Sequence, residues 1–299
     1  MGCGVYSLRH TPRLSLARLL KIEKAPRWDQ VQVVKTDQEE DLRLDTLRLE
    51  SPAGGTAAYL LVSQKSLAQK DRLPAIVLIH GHFSDAKEFI QKLPDASLWP
   101  LGKELARQGF VVLAPQMRYE TANLKEETRQ AAQLLLQGKT LMGERVADVL
   151  RCVDYLSAHA LVDPAKIGIL GWSMGGNIAL FAGALEPRVK VLYVSGSAGS
   201  LRVALLPQTP LQTADNYVPN LLPEFGDKAR LISLIYPRPI LIEHGSNDPS
   251  DPGGGVLLTL EKVEPLYKNY PKNLHVFWHL KGHRLDGSKA VEWFTQWLK

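Results

Sequence analysis

Cysteine is the scarcest useful residue in this chain: two in 299 residues. Cys3 and Cys152 stand far apart and fit no C-x-x-C spacing, so a disulfide framework, a zinc module and a dithiol redox motif all lack their residues. Cys152 falls inside the helical pattern "ERVADVLRCVDYLSAH", where a buried, inert thiol is expected. Long apolar runs are missing too. No stretch reaches the ~18 apolar residues of a membrane span, and the N-terminus has no apolar core of a signal peptide. The opening "MGCGVYS" has Tyr6 where a myristoylation signal needs Ser or Thr. A soluble, cytoplasmic protein is the default expectation. Charge of one sign is also absent as a block. The net +5 is spread, and the early basic residues Arg9, Arg13, Arg18, Lys21, Lys24 and Arg27 are interleaved with leucines and prolines. Nucleic-acid recognition would need a basic face with base-reading or stacking groups, and no such motif appears.

What is present is an ordinary globular composition, 45% hydrophobic and 22% charged. A chain of this length can bury roughly three quarters of its unfolded surface, so it needs no metal or disulfide to hold a core. Residues 1–38 read as an N-terminal arm or a short helix around Leu14–Lys24, and residues 39–299 as a single domain. "DLRLDTLRLES" alternates apolar and polar residues with a phase slip between Leu44 and Leu47, the pattern of an antiparallel strand with a bulge. "TAAYLLVS", after Gly54-Gly55, is its hairpin partner.

From residue 74 the pattern changes. Short continuous apolar runs appear: "PAIVLIH", "FVVLAP", "KIGILGW", "VKVLYVSG", "PILIEHG" and "LHVFWHL". Strands buried on both faces look like this. Helical patterns fill the gaps: "LWPLGKELARQG", "GERVADVLRCVDYLSAHA", "MGGNIALFAGALE", "GGVLLTLEKVEPLYKNY" and "SKAVEWFTQWLK". The alternation predicts an α/β fold: a mostly parallel, doubly wound sheet, helices on both faces, and an antiparallel hairpin at its start. Ligands of such sheets bind at the carboxyl ends of the strands. One connection, 197–236, is too long for a plain βα unit. It is expected to cross the active face, with a short helix near Lys228–Ile235.

The strand ends carry a consistent chemistry. The first run ends in "HGHF", the third in "GWSMGG" with Ser173, the fifth in "EHGSNDPSD" with Asp248, and the sixth in "LKGHRLDG" with His283. A serine hydroxyl is a poor nucleophile until a base takes its proton. An imidazole can be that base when a carboxylate fixes its tautomer and balances its charge. The G-x-S-x-G spacing around Ser173 allows a sharp strand-to-helix turn, which frees the Met174 N–H to stabilise an oxyanion. A second N–H should come from the loop after the first run, His82 first and Phe83 as the alternative. Asp251 and Asp286 are rival acids, and His275 and His279 rival bases. His80 and His244, each before a glycine, are packing or loop-bracing residues. Trp172, Phe83 and Met174, with the excursion, suggest a partly apolar pocket suited to short acyl groups. The reading contains no metal site and no cofactor.

These residues resemble the α/β-hydrolase superfamily, and more narrowly its dienelactone hydrolase and acetyl xylan esterase-like branch. The matching stretches are "AIVLIHGH", "DYLSAHALVDPAKIGILGWSMGGNIAL", "YVPNLLPEFGDKARLISLIYPRPILIEHGSNDP" and "KGHRLDGSKAVEWFTQWL". The resemblance implies a Ser173–His283–Asp248 triad and an oxyanion hole from the Met174 and His82 amides. It departs in two places. Dienelactone hydrolases proper carry cysteine at the nucleophile, where this chain has serine, and the loop after "HGHF" continues "SDAKEF" without the usual glycines. The expected function is therefore a serine carboxylic-ester hydrolase acting on a small-molecule ester through an acyl-enzyme. The alternatives are a serine peptidase of the prolyl-oligopeptidase kind and a non-catalytic binding protein on the same fold.

Overall fold

The computed structural model describes residues 11–22, 26–91, 100–120, 124–210 and 212–299. Nine strands form one sheet: β1 Gln30–Glu39, β2 Leu42–Glu50, β3 Thr56–Ser63, β4 Leu73–Ile79, β5 Val111–Pro115, β6 Val162–Trp172, β7 Val189–Ser195, β8 Ile240–Gly245 and β9 Leu274–His279. Their order is β1-β2-β3-β5-β4-β6-β7-β8-β9. The first three pair antiparallel and β3 joins β5 antiparallel, while every pair from β5 to β9 is parallel. The six apolar runs from residue 74 thus form the parallel part.

Side chains alternate between two cores because successive residues of a strand face opposite ways. In β4, Ala75, Val77 and Ile79 enter one core, with the helices Leu141–Ala158, Met174–Leu185 and Lys228–Ile235. Ile76 and Leu78 enter the other, under Leu101–Arg107 and Ala290–Leu298. From β4 the chain passes to β5 on one side and then crosses to β6 on the other, which opens a crevice at the carboxyl end of the sheet. Ser173 follows β6 at that crevice.

The expectation of an arm or a short helix around Leu14–Lys24 meets a short helix at the start of the chain. Its first ten residues lie outside the described ones. The helix Thr11–Leu19 and the following turn bury Leu16 and Leu20 in the first core. Arg13 donates to the carbonyls of Ala184 and Leu234, at the ends of two core helices. β1 then lengthens the sheet, so residues before 39 share the body of the rest. Strand β1 is exposed along most of its length, and an edge strand with no buried face has no alternation to read. The bulge also lies elsewhere: the register shifts at Val33/Lys35 in β1, and β2 pairs with β3 without a break. The phase slip in β2 is Asp45, a buried carboxylate that accepts from Thr36 Oγ1 at 2.6 Å and Arg43 Nε at 3.1 Å.

Candidate active site

The turn after β6 holds Ser173 at φ 57° and ψ −119°. A positive φ is costly for a residue with a Cβ, on the order of 1–3 kcal/mol, and persists only where its surroundings enforce it. Here they do. The Ser173 N–H donates to Ser195 O at 2.9 Å, and the Ser197 hydroxyl donates to the Ser173 carbonyl. A Cβ at Gly171 would overlap the Gly175 carbonyl, and one at Gly175 would overlap the carbonyls of Ile79 and His80. Only glycine lets the helix Met174–Leu185 start this close to β4 and β6.

Ser173 Oγ lies 2.6 Å from His283 Nε2, and His283 Nδ1 lies 2.7 Å from Asp248 Oδ2. An ionised carboxylate only accepts, so Nδ1 carries the proton and Nε2 is left to accept from the serine. The second Asp248 oxygen accepts the N–H groups of Ser250 at 2.8 Å and Asp251 at 3.1 Å, which fixes the plane of the carboxylate. The Asp248 side chain is buried, while that of His283 is 23% exposed, enough for a substrate to reach it. Gly196, at φ +60°, passes under the pair: a Cβ there would meet the His283 ring.

The rival residues are engaged elsewhere. Asp251 accepts the Gly199 N–H, and Asp286 pairs with Lys281 at 2.6 Å. His275 and His279 lie along β9, away from Ser173 Oγ in the bonding pattern. His80 braces its loop: Nδ1 donates to Gly81 O at 2.8 Å and Nε2 accepts the Met117 N–H at 2.9 Å. Burial lowers its pKa to about 4, so it stays neutral and can keep accepting. His244 packs edge-on against Trp278, with ring centroids 4.8 Å apart.

The loop after β4 runs beside Ser173, since a Cβ at Gly81 would meet the Trp172 ring and Ser173 Cβ. Phe83 N–H is taken by Glu120 Oε1 at 2.7 Å. The Phe83 ring is 65% exposed and Trp172 belongs to the second core, tilted against the His283 ring at 5.7 Å. Neither is among the described residues lining the space next to Ser173. Strand parity explains Trp172: one residue before the turn, it faces away from the helix Met174–Leu185.

The His82 side chain enters a buried ionic cluster. Its Nε2 is 3.0 Å from Asp215 Oδ2, 3.2 Å from Glu127 Oε1 and 3.8 Å from Glu120 Oε2. Arg145, fully buried, donates to Asp215 and Glu127 at 2.6 Å each and reaches Glu120 at 3.4 Å. Hydrogen bonds to Asp215 and Glu127 raise the His82 pKa to about 9 against the opposing effect of burial. The His82, Glu120 and Glu127 ligand atoms lie within 4.8 Å of one another. The Arg145 guanidinium already supplies a cation against the same carboxylate oxygens, so the cluster is built as an ion-pair network. Sequence reasoning missed it, although an arginine on the apolar side of "GERVADVLRCV" was the available signal. It also missed Glu243, a charge inside the apolar run "PILIEHG". Glu243 accepts from Tyr193 Oη, Ser195 Oγ and the N–H groups of Asp286 and Gly287, which ties the His283 loop to β8.

The dienelactone hydrolase family model matches residues 57–292. The chain belongs to the dienelactone hydrolase family. By that membership it is a hydrolase of carboxylic esters. It is 29% identical over 267 residues to the Bacillus subtilis protein named "Putative hydrolase YtaP", covering 86% of each chain. Among solved structures it is similar to acetyl xylan esterase 1 from Thermoanaerobacterium sp. JW/SL YS485, with TM-score 0.68 and 17% identity over 98% of this chain and 95% of that one. A glucuronoyl esterase from Solibacter usitatus superposes with TM-score 0.71 and 15% identity over 97% and 92%. At these identities the structures share the α/β-hydrolase fold.

Proposed function

We propose that this family member is a serine carboxylic-ester hydrolase working through Ser173, His283 and Asp248 on a small-molecule ester. The continuous hydrogen-bond line Ser173 Oγ–His283–Asp248, at 2.6 and 2.7 Å, carries the reading. His283 Nε2 removes the serine proton as Oγ attacks the ester carbonyl. The tetrahedral oxyanion is received by the Met174 N–H, at the positive end of its helix, and by the His82 N–H. Phe83 is the weaker candidate for the second donor because Glu120 already holds its N–H. His283 then returns the proton to the departing alcohol, and Asp248 balances the imidazolium meanwhile. Water, deprotonated by the same histidine, attacks the acyl-enzyme and frees the acid. No step needs a metal or cofactor.

Peptidase activity of the prolyl-oligopeptidase kind would call for a large extra β domain guarding access. The described residues before β4 form one helix and three strands of the main sheet instead, apart from a single helical turn at Gln64–Leu67. We expect the protein to turn over p-nitrophenyl esters, to leave aminoacyl-p-nitroanilides almost untouched, and to be labelled by a fluorophosphonate. Fast anilide cleavage with negligible ester cleavage would point to the peptidase, and resistance to labelling at neutral pH to a binding protein.

A further inference from the structure

The cleft at Ser173 does not end at the triad. Asn177, Leu201, Asn216, Tyr217 and Lys228 line both this cleft and a second chamber of about 310 Å³. Asn177 lies one helical turn beyond Ser173, and Phe181 one turn further on the same face of the nucleophile helix. Phe181 forms one wall of the chamber, and the excursion supplies the others through Leu205, Val218, Leu221 and Pro223. Four polar groups thus sit with Leu201 at the neck, and mostly apolar ones lie behind it. That is the arrangement of a ligand site: a few polar groups fix the reacting end and an apolar body takes up the rest.

Size and position define the ligand. An apolar cavity of about 150 Å³ holds a benzene ring, so this one has room for a substituted aryl ring or a medium-length alkyl chain. The alcohol oxygen of the ester must face His283 Nε2 to receive its proton. His283 lines the cleft but is not among the described residues lining the chamber. The chamber therefore lies on the acyl side. Lys228 closes the neck without turning it into an anion site: its buried Nζ donates to Ser197 O at 2.7 Å, and burial pushes its pKa below the ordinary lysine value.

Resting on the serine-hydrolase reading, we propose that the chamber is an acyl-binding site and that the substrates are esters of medium-chain or aryl carboxylic acids rather than acetate esters. This replaces the short-acyl expectation, which was drawn from Trp172, Phe83 and Met174 with the excursion.

The test is kcat/KM for p-nitrophenyl acetate, butyrate, hexanoate and benzoate, which holds the alcohol constant. Burying a methylene is worth roughly a factor of four. Hexanoate carries four more methylenes than acetate, and with about two to three of them buried it is expected to exceed acetate by on the order of 10- to 100-fold. In Leu205→Trp, and separately in Val218→Phe, the hexanoate-to-acetate ratio should fall about tenfold or more. A ratio measured within one preparation is independent of the fraction correctly folded. A second pair, ethyl hexanoate against hexyl acetate, locates the apolar group. Preference for hexyl acetate would overturn the acyl assignment. Acetate turned over fastest, or a ratio unmoved by both variants, would overturn the chamber while leaving the hydrolase intact. Failure to hydrolyse any ester would instead remove the underlying reading, and this one with it.

Discussion

Ser173→Ala should lower kcat for ester hydrolysis by a factor on the order of 10⁴ to 10⁶ while the protein stays folded. Removing the nucleophile of a triad leaves only binding and the oxyanion donors, and triad members act as a unit, so the loss is not shared out among them. Alanine suits the turn sterically about as well as serine, because both carry one Cβ at the same positive φ. The hydroxyl makes a single bond in the free protein, to His283. Its loss should change stability by less than about 1.5 kcal/mol, the ordinary worth of one hydrogen bond. Burst kinetics with a p-nitrophenyl ester would show both the lost turnover and the lost acyl-enzyme. Residual activity within tenfold of wild type would exclude Ser173 as the nucleophile, whatever the distance to His283.

The second large effect is on stability. Arg145→Met should destabilise the protein by about 3–5 kcal/mol, the usual consequence of removing one partner from a buried ionic group. Three carboxylates, Glu120, Glu127 and Asp215, would then keep His82 as their one cationic partner within 4 Å among the described residues. The same cluster makes stability depend on pH. His82 has its pKa raised to about 9 in the folded protein, above the usual ~6.5. Its stabilisation is complete below ~6.5 and is lost as the pH rises through 9. Glu120, raised to about 7 by burial, acts in the same direction at lower pH: it holds its proton more tightly when folded, so stability falls as it ionises. Asp215, lowered to about 2, contributes above its ordinary pKa and loses its contribution as the pH falls through 2. Urea midpoints from pH 6 to 10 should decline in wild type, and His82→Gln should flatten the alkaline part of that decline. A profile with the same slope in both proteins would show that His82 is not the titrating group.

How much of this was legible in the sequence follows from the kind of signal each part leaves. The parallel strands β4 to β8 were readable because burial on both faces forces continuous apolar runs, while β9, a half-buried edge strand, carries a mixed one. The hydrogen-bond line Ser173–His283–Asp248 was readable because three chemically distinctive residues fall just past three of the strand runs in a consistent order. Strand β1 was not, since an edge strand needs no buried face. The helix Leu124–Leu136 is absent from the helical patterns above for a different reason. Its buried residues are Glu127 and Ala131, so its inward face is partly charged and leaves no apolar stripe. Trp172 and Phe83 were placed in a pocket because they adjoin key residues in sequence. Parity along β6 sends Trp172 to the opposite core, and the positive φ of Phe83 turns its ring outward. The chamber itself is assembled from a helix face and a 40-residue excursion, a juxtaposition that no local pattern encodes.

Glu243 has a consequence for how the base is supplied. Loops usually spend conformational entropy each time they adopt a working geometry. The His283 loop has that cost met once, when the sheet forms, because the Asp286 and Gly287 amides close onto a carboxylate that β8 has already placed. Asp248, three residues beyond β8, inherits its position from the same strand. Acid and base therefore share one frame of reference. The 2.7 Å separation between the His283 ring and its carboxylate is thus set by β8 from both sides.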